Sequence, residues 1–253
     1  MSETPILDVR GVSKRFGAVQ ALTNVDFQAR SGEVMALVGD NGAGKSTLIK
    51  GIAGIYPFDG GEIHFEGKKV NIHNPKDSAA LGIEVVYQDL ALADNLDVVA
   101  NMFLGRERIQ KPWQLDEASM EKACIETLVS LSVSTLRSVR QAVAGLSGGQ
   151  RQAIAVAKAV MWNSKVVILD EPTAALGVAQ TRQVLDLVKR LAQQGLAVVI
   201  ISHNLHDIFE VADRITVLRL GYKVKEFLTK DTTQQEVVHA ITAGTLESVP
   251  GMV

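Results

Sequence analysis

The sequence is poor in cysteine and has no excess of positive charge. Cys124 is its single cysteine, so no intramolecular disulfide can form, and a reducing compartment such as the cytosol is expected. Lys and Arg total 26 against 28 for Asp and Glu, which gives a net charge of -2. This balance provides no global positive field of the kind that attracts nucleic acid, and nucleic acid is not an expected partner.

Long apolar runs are also absent from the sequence. Every run falls far short of the roughly 20 residues that cross a bilayer. Residues 1–10 contain acidic Glu3 and Asp8 and lack the apolar stretch of a secretion signal. Any association with a membrane is therefore expected to go through a partner protein. With 47% hydrophobic residues, the chain can still bury a substantial core.

The sequence instead contains short apolar runs separated by helical stretches. Three near-continuous runs are typical of strands buried on both faces of a mainly parallel sheet, which predicts an α/β fold: Val34–Val38, Val166–Leu169 and Ala197–Ile201. The part before about residue 70 is predicted to be largely sheet, because short strands alternate there with Gly-bearing turns. Its predicted strands are Ile6–Val9, Asn24–Ala29, Val34–Val38 and Glu62–Phe65.

The middle of the chain has helical periodicity. Within 116–133 the apolar residues that recur at helical spacing are Met120, Cys124, Leu128 and Leu131. We expect residues 91–159 to form a helical subdomain, 234–243 a short helix, and 247–253 a poorly structured tail. The sequence has no internal repeat, so 5–246 is predicted to be one domain.

A phosphate-binding pattern follows the first buried strand. It reads Gly39-Asp40-Asn41-Gly42-Ala43-Gly44-Lys45-Ser46 and stands directly after Val34–Val38, the context that this motif requires. Its glycines allow backbone N–H groups to turn toward phosphate oxygens at the start of a helix. Lys45 can neutralise the terminal phosphates, Ser46 can bind Mg²⁺, and Thr47 can bond an earlier phosphate. The pattern therefore predicts a triphosphate site, with a chance Gly-rich turn as the alternative.

Another buried strand ends in two carboxylates. Asp170 and Glu171 follow Val166–Leu169 at the sheet edge where nucleotides bind in α/β folds. Asp170 fits a direct or water-mediated ligand of Mg²⁺, and Glu171 fits the group that orients and polarises an attacking water. The alternative is a helix N-cap after the strand, which Pro172 in a first helical turn would allow.

A second anion-binding element lies near the end of the predicted helical region. Leu146-Ser147-Gly148-Gly149-Gln150 precedes the helical run Arg151–Val160, so Ser147 and glycine amides collect at a helix N-terminus. The segment could be only a structural loop and cap. A chain with two phosphate-binding elements and one phosphate-loop lysine suggests, however, that two chains share each nucleotide.

These motifs, with His203 after the strand Ala197–Ile201, resemble the nucleotide-binding domain of ATP-binding cassette proteins over nearly the whole chain. The resemblance implies a P-loop NTPase fold with a RecA-like core, an antiparallel β subdomain and a helical signature subdomain. It also implies bound ATP and Mg²⁺, and a head-to-tail dimer of two copies. In that dimer Ser147 and Gly149 of one copy would contact the γ-phosphate held by Lys45 of the other.

The same resemblance assigns roles residue by residue. The implied catalytic residues are Glu171, His203 as the switch histidine, and Gln88, which would bridge Mg²⁺, the attacking water and the membrane subunits. The implied Mg²⁺ ligands are Ser46, Gln88 and Asp170. The implied ATP-binding residues are Phe16, stacked on adenine, with Gly39, Asp40, Asn41, Gly42, Ala43, Gly44, Lys45, Ser46, Thr47, Ser147, Gly148, Gly149 and Gln150. Structural alternatives stay open: a capping histidine, a solvated strand-end glutamine and a core phenylalanine.

One position departs from the family pattern. Gly177 stands where the family normally has an aspartate that crosses the dimer interface, so coupling between the two sites is expected to be altered. The segments 171–178, 103–107 and 202–207 resemble those of monosaccharide importers of the ribose, xylose and fructose type. A single cassette looks most like the fructose type and would pair with a copy of itself.

The importer resemblance implies particular partners and a location. The partners would be transmembrane permease subunits and, indirectly, a periplasmic or extracellular sugar-binding protein, with the chain at the cytoplasmic face of the inner membrane. An exporter subunit is the nearest alternative. An ATPase acting on DNA or the ribosome is a further one, although the spacing between Lys45 and Ser147 leaves no room for the long coiled coil of the DNA-repair relatives.

Overall fold

The structure, a computed structural model, describes residues 4–111, 113–133 and 136–243, so the predicted tail at 247–253 lies outside the described residues. Its strands are β1 (Leu7–Phe16), β2 (Val19–Ala29), β3 (Val34–Val38), β4 (Gly60–Phe65), β5 (Lys68–Val70), β6 (Ile83–Val86), β7 (Ile109–Lys111), β8 (Gln114–Leu115), β9 (Val166–Asp170), β10 (Ala197–Ile201), β11 (Arg214–Arg219) and β12 (Tyr222–Leu228). Its α-helices are α1 (Lys45–Ile52), α2 (Pro75–Ala80), α3 (Val98–Phe103), α4 (Glu117–Ser130), α5 (Gly148–Val160), α6 (Val178–Gln193), α7 (Leu205–Val211) and α8 (Gln234–Ala243).

The central sheet has six strands in the order β12, β11, β3, β10, β9 and β6. All neighbouring pairs are parallel except β11 and β12, which are antiparallel. Every residue of β3 and β10 is buried, because helices or the second sheet cover both faces. The three apolar runs are thus confirmed as buried parallel strands. Their carboxyl ends meet at one edge of the sheet, and the predicted site residues follow them there.

A second, antiparallel sheet packs against the first. Its order is β2, β1, β4, β5, and its inner face shares a buried apolar cluster with the central sheet and α1. The predicted strand at 6–9 overlaps only the start of β1, which begins at Leu7, and the predicted strand at 24–29 is only the last part of β2. The pairing of β1 and β2 shifts register three times, and these irregularities break the period-two pattern that would have revealed the full strands.

The region expected to be helical contains α3, α4 and α5, which pack on one another and on the central sheet. In α4 the side chains of Met120, Cys124 and Leu128 are buried, as the spacing predicts, and the helix ends at Ser130. The same region holds the short hairpin β7–β8, which the apolar periodicity does not indicate. Within the described ranges, no helix has both the length and the apolar character needed to cross a bilayer.

Candidate functional site

The loop between β3 and α1 depends on glycine. Gly39 has φ 152°, and a Cβ at this position would overlap the Leu218 carbonyl oxygen. Gly44 has φ 104°, and a Cβ there would lie 2.7 Å from Leu22 Cδ2. Both positions combine a backbone conformation that other residues rarely adopt with a close neighbour, so glycine is required at each.

The N-terminus of α1 has the features of a phosphate site. Gly44 is its N-cap, no side chain caps the helix, and its first turn holds no acidic residue. The backbone N–H groups of this turn therefore have no side-chain competitor for an anion. Lys45 Nζ donates to the carbonyls of Gly39 at 2.6 Å and Asp40 at 3.0 Å. Burial lowers the pKa of Lys45, and the nearby carboxylates of Glu171, Asp40 and Asp170 oppose that shift.

A cavity of about 450 Å³ opens over this loop. It gathers most of the residues predicted from separate motifs: Asn41, Gly42, Ala43, Gly44, Lys45, Ser46, Thr47, Gln88, Asp170 and Glu171. Gln88 lines it from the segment after β6 and is itself exposed, so its catalytic role stays a prediction beside the alternative of a solvated residue near the strand end. Phe16 does not line the cavity itself, but it pairs across the hairpin with Val19, which does, so it lies beside the rim. At 45% exposure Phe16 is not a core residue.

The two acidic residues stand at the end of β9. Burial raises the pKa of Asp170, and the neighbouring negative charge of Glu171 raises it further, while Lys45 and Lys50 oppose the shift. Such a site is favourable for a cation. The next helix, α6, begins only at Val178, so the alternative of a helix N-cap at this strand end is wrong.

His203 contacts Glu171 directly. Its Nδ1 lies 2.9 Å from Glu171 Oε2, and its side chain is 78% exposed, against 17% for Glu171. The cap of α7 is Asn204, whose side chain accepts the His206 N–H, so His203 is not a capping residue. The strand ends of β9 and β10 thus bring together a half-buried carboxylate and an imidazole that remains open to solvent.

The second predicted phosphate element begins α5. Ser147 Oγ accepts the Gln150 N–H at 3.3 Å, and Gln150 Oε1 accepts the Ser147 N–H at 2.9 Å, which together form a capping box. A Cβ on Gly148 would lie 2.9 Å from Leu176 Cδ2, and one on Gly149 would lie 3.1 Å from Gln180 Cβ. Gly148 therefore lets α5 approach the turn before α6, and Gly149 lets it pack closely on α6 itself. The residues 147–150 are not among those that line the cavity at the phosphate loop.

Besides Ile201, the last residue of β10, three residues of the cavity are not indicated by any motif. Val19, Gln20 and Ala21 line it from the start of β2. Their position depends on the β1–β2 hairpin, and the only signal for it in the sequence is their closeness to Phe16.

A further unpredicted contact joins Thr173 Oγ1 to Asp207 Oδ2 at 2.7 Å, with Asp207 buried. It ties the turn after Glu171 to the helix after His203.

Comparison with known proteins gives a consistent result. The family model described as "ABC transporter" matches residues 22–174. The chain is 49% identical over 249 residues to the fructose import ATP-binding protein FrcA of Rhizobium meliloti, covering 96% of this chain and 95% of that protein. It is 46% identical to the xylose/arabinose import ATP-binding protein XylG of Sulfolobus acidocaldarius, covering 96% of each. A ribose import ATP-binding protein, RbsA of Caldanaerobacter subterraneus, is 39% identical over 92% of this chain and 47% of its own length.

Solved structures give the same answer for the fold. An ATP-binding cassette of an ABC transporter in its ADP conformation superposes with a TM-score of 0.80 at 27% identity, covering 95% of this chain and 96% of that one. A dimeric cassette in a post-hydrolysis state bound to ADP and Pi superposes with a TM-score of 0.73 at 25% identity, covering 88% of this chain and 98% of that one. These likenesses confirm the predicted fold class.

Proposed function

Since the chain belongs to the ABC transporter family, we propose that it hydrolyses ATP to drive uptake of a monosaccharide through separate membrane subunits. The observation that carries the proposal is the convergence of the phosphate loop, Gln88, Asp170 and Glu171 on one cavity. Relatives named for fructose and for xylose or arabinose import match the chain along almost its whole length, which supports the class of substrate.

The first step is binding of the triphosphate at α1. The uncapped N–H groups of the first turn and the charge of Lys45 would hold the β- and γ-phosphates. Thr47 would bond an earlier phosphate oxygen, and the Phe16 ring at the rim would stack on adenine. Lys45 Nζ donates to two loop carbonyls, so its ammonium is already held over the loop where it would meet the phosphate oxygens.

The residues around the cavity also fit Mg²⁺. Ser46, Gln88 and Asp170 offer hard oxygen donors around one cavity, and burial beside Glu171 makes a cation favourable at Asp170. Within the described part of the chain, no cluster of three or more His, Cys, Asp or Glu side chains could hold a metal by itself. Held by these side chains together with the nucleotide, Mg²⁺ would supply positive charge that offsets the charge on the phosphates.

Glu171 and His203 would direct the attack of water. The Glu171 carboxylate would accept a hydrogen bond from the water and orient it toward the γ-phosphorus. The imidazole 2.9 Å from that carboxylate would hold it in place and reach the γ-phosphate from its exposed side. This arrangement is a positioning and electrostatic mechanism, which is how most phosphoryl transfer is catalysed.

A second copy of the chain would complete the site. Ser147 and Gly149 stand at the N-terminus of another helix, α5, and the cavity over Lys45 is lined by other residues. Two copies arranged head to tail would place the α5 N-terminus of each over the phosphates held by the other. A solved relative described as a dimer bound to ADP and Pi supports this arrangement.

The importer would place the chain at the cytoplasmic face of the inner membrane as a peripheral subunit. Its partners there would be permease subunits, which Gln88 would help to couple to the nucleotide site, and these would in turn dock a sugar-binding protein outside the membrane. The identity of the sugar would be set by the permease and the binding protein.

The deciding experiment uses Glu171→Gln, which keeps the size of the side chain and removes the charge. With ATP and Mg²⁺ this variant should bind nucleotide, stop hydrolysing it and accumulate as a dimer, measured by light scattering after size exclusion. The native chain, reconstituted with its permease and binding protein, should take up a pentose or hexose only with ATP. The proposal fails if the variant hydrolyses ATP at the native rate, or if it never dimerises even with the permease present.

A further inference from the structure

Two aromatic rings and a lysine form a cluster at the rim of the nucleotide cavity. The rings of Phe16 and Tyr56 meet edge-on, with centroids 5.1 Å apart and planes at 82°. This is a favoured geometry for an aromatic pair, so the contact fixes the orientation of both rings. Phe16 keeps 45% exposure, which leaves part of its ring open to a ligand.

Tyr56 also connects this ring pair to the phosphate-binding helix. Its hydroxyl donates to the Thr47 carbonyl oxygen at 3.1 Å. Thr47 lies in the first turns of α1 and lines the nucleotide cavity. Burial raises the pKa of Tyr56, so the hydroxyl keeps its proton and remains a donor at neutral pH. One side chain therefore touches both the ring predicted to stack on the base and the helix that holds the phosphates.

Lys14 holds the pair from a third direction. Its Nζ lies 5.5 Å from the centroids of both rings, within the range of a cation–π interaction. Asp59 fixes that ammonium through Oδ1 at 2.7 Å, and its Oδ2 accepts the Arg15 backbone N–H at 2.7 Å. Since the Lys14 side chain is only 11% exposed, the ammonium is held in place rather than free in solvent.

We propose that Tyr56 is a positioning residue for the nucleobase, which sets the Phe16 ring at a fixed angle and a fixed distance from the phosphate-binding helix. The inference rests on the proposed function, because it takes the stacking of adenine on Phe16 from there. Tyr56 acts through Phe16 and is not itself among the residues lining the cavity. Its loss should weaken recognition of the base and leave recognition of the phosphates unchanged.

The test compares two ligands that share the phosphates but not the base. Dissociation constants for Mg²⁺–ATP and for Mg²⁺–tripolyphosphate are measured on the full chain by calorimetry, for the native protein, Phe16→Ala, Tyr56→Ala and the double variant. Ile55→Ala is the matched control, because Ile55 is the neighbouring residue and its side chain is half exposed. Thermal melting followed by circular dichroism checks that each variant is folded.

Tyr56→Ala should weaken ATP binding about 3- to 10-fold, the usual worth of an aromatic pair, and leave tripolyphosphate binding unchanged. The double variant should bind ATP no more weakly than Phe16→Ala, because Tyr56 acts through that ring. Tyr56→Phe, which keeps the ring and loses the bond to Thr47, should lose roughly 2- to 3-fold for ATP alone. If Tyr56→Ala does not fold, the inference is tested with Tyr56→Phe instead.

Other outcomes separate this inference from the proposed function. Equal losses for ATP and tripolyphosphate in the Tyr56 variants would mean that Tyr56 only stabilises α1, and would overturn the inference. Loss in Phe16→Ala without loss in Tyr56→Ala would overturn it as well, with the stacking role of Phe16 intact. If the native chain bound neither ligand, the proposed function itself would fail.

Discussion

The N-termini of α1 and α5 differ in how they are capped, although both are glycine-rich and both are predicted to face phosphate. At α1 the N-cap is Gly44, with φ 104° and no bond from any side chain. At α5 the N-cap is Ser147, which forms a reciprocal capping box with Gln150. The first helix end has no side-chain partner of its own, whereas the second already has one.

This difference in capping predicts which helix end binds the nucleotide first. A phosphate at α1 meets N–H groups with no side-chain competitor, together with the Lys45 charge, so this end should bind nucleotide in a single copy. At α5 a phosphate has to compete with the capping box, which already uses the N–H groups of Ser147 and Gln150. The segment 146–150 also contains no lysine that could neutralise the phosphate. We therefore expect α5 to bind only after the nucleotide is held by the other copy, which makes closure of the dimer the later and weaker step.

The largest expected effect comes from removing the lysine at the first helix end. Lys45→Ala should lower ATP hydrolysis by at least about 100-fold, since a positioned charge at the transferring phosphate is lost. The fold should be retained, because Lys45 Nζ donates only to two loop carbonyls. The measurement is phosphate release with saturating ATP, and Lys68→Ala, an exposed lysine in β5, is the control. If Lys45→Ala hydrolysed ATP at the native rate, the proposed role of the α1 N-terminus in hydrolysis would be wrong.

The second effect tests whether α5 faces a phosphate. Ser147→Asp keeps a good N-cap, so the melting temperature should not change, but its charge should repel the γ-phosphate and lower ATPase activity at least about 10-fold. Ser147→Ala should instead destabilise the chain by about 1 kcal/mol, with a smaller loss of activity. Both are compared by thermal melting and by ATP-driven dimerisation in the Glu171→Gln background. If Ser147→Asp still dimerised with ATP, the α5 end would not meet a phosphate.

The two helix ends could be predicted from the sequence, because each motif consists of residues that are close together in the chain. The phosphate loop stands beside a buried strand, and the signature stands beside a helical run, so no long-range information is needed. The contact between Glu171 and His203 joins two strands that are separated by a whole helix, and only the sheet order brings the two residues together. Val19, Gln20 and Ala21 reach the cavity through a hairpin whose register shifts hide its length.

The third effect contrasts two glycines, one at each helix end. Gly44→Ala combines a left-handed φ with close contacts to Leu22 and to the Ala21 carbonyl, so it should cost about 2–3 kcal/mol of the free energy of unfolding. Gly148→Ala is in a helix, and its Cβ would meet the flexible end of Leu176 at 2.9 Å and Gln180 Oε1 at an ordinary 3.9 Å. It should change that free energy by less than about 1 kcal/mol, because helix propensity offsets the contact. Urea unfolding measures both, and equal losses would contradict the contrast.

The smallest effect concerns the position that departs from the family pattern. Gly177 is the N-cap of α6 with φ -73° and ψ 161°, and a Cβ there would have no atom within 4 Å. Gly177→Asp should therefore fold normally and gain a few tenths of a kcal/mol from a better cap. In the dimer this carboxylate would cross the interface, as in the family pattern, so it should raise the cooperativity of ATP hydrolysis while steady-state ATPase activity changes by less than about 3-fold. Gly177→Ala, which adds the Cβ without the charge, is the control. Unchanged ATP cooperativity in Gly177→Asp would show that the missing carboxylate does not alter coupling between the two sites, contrary to this expectation.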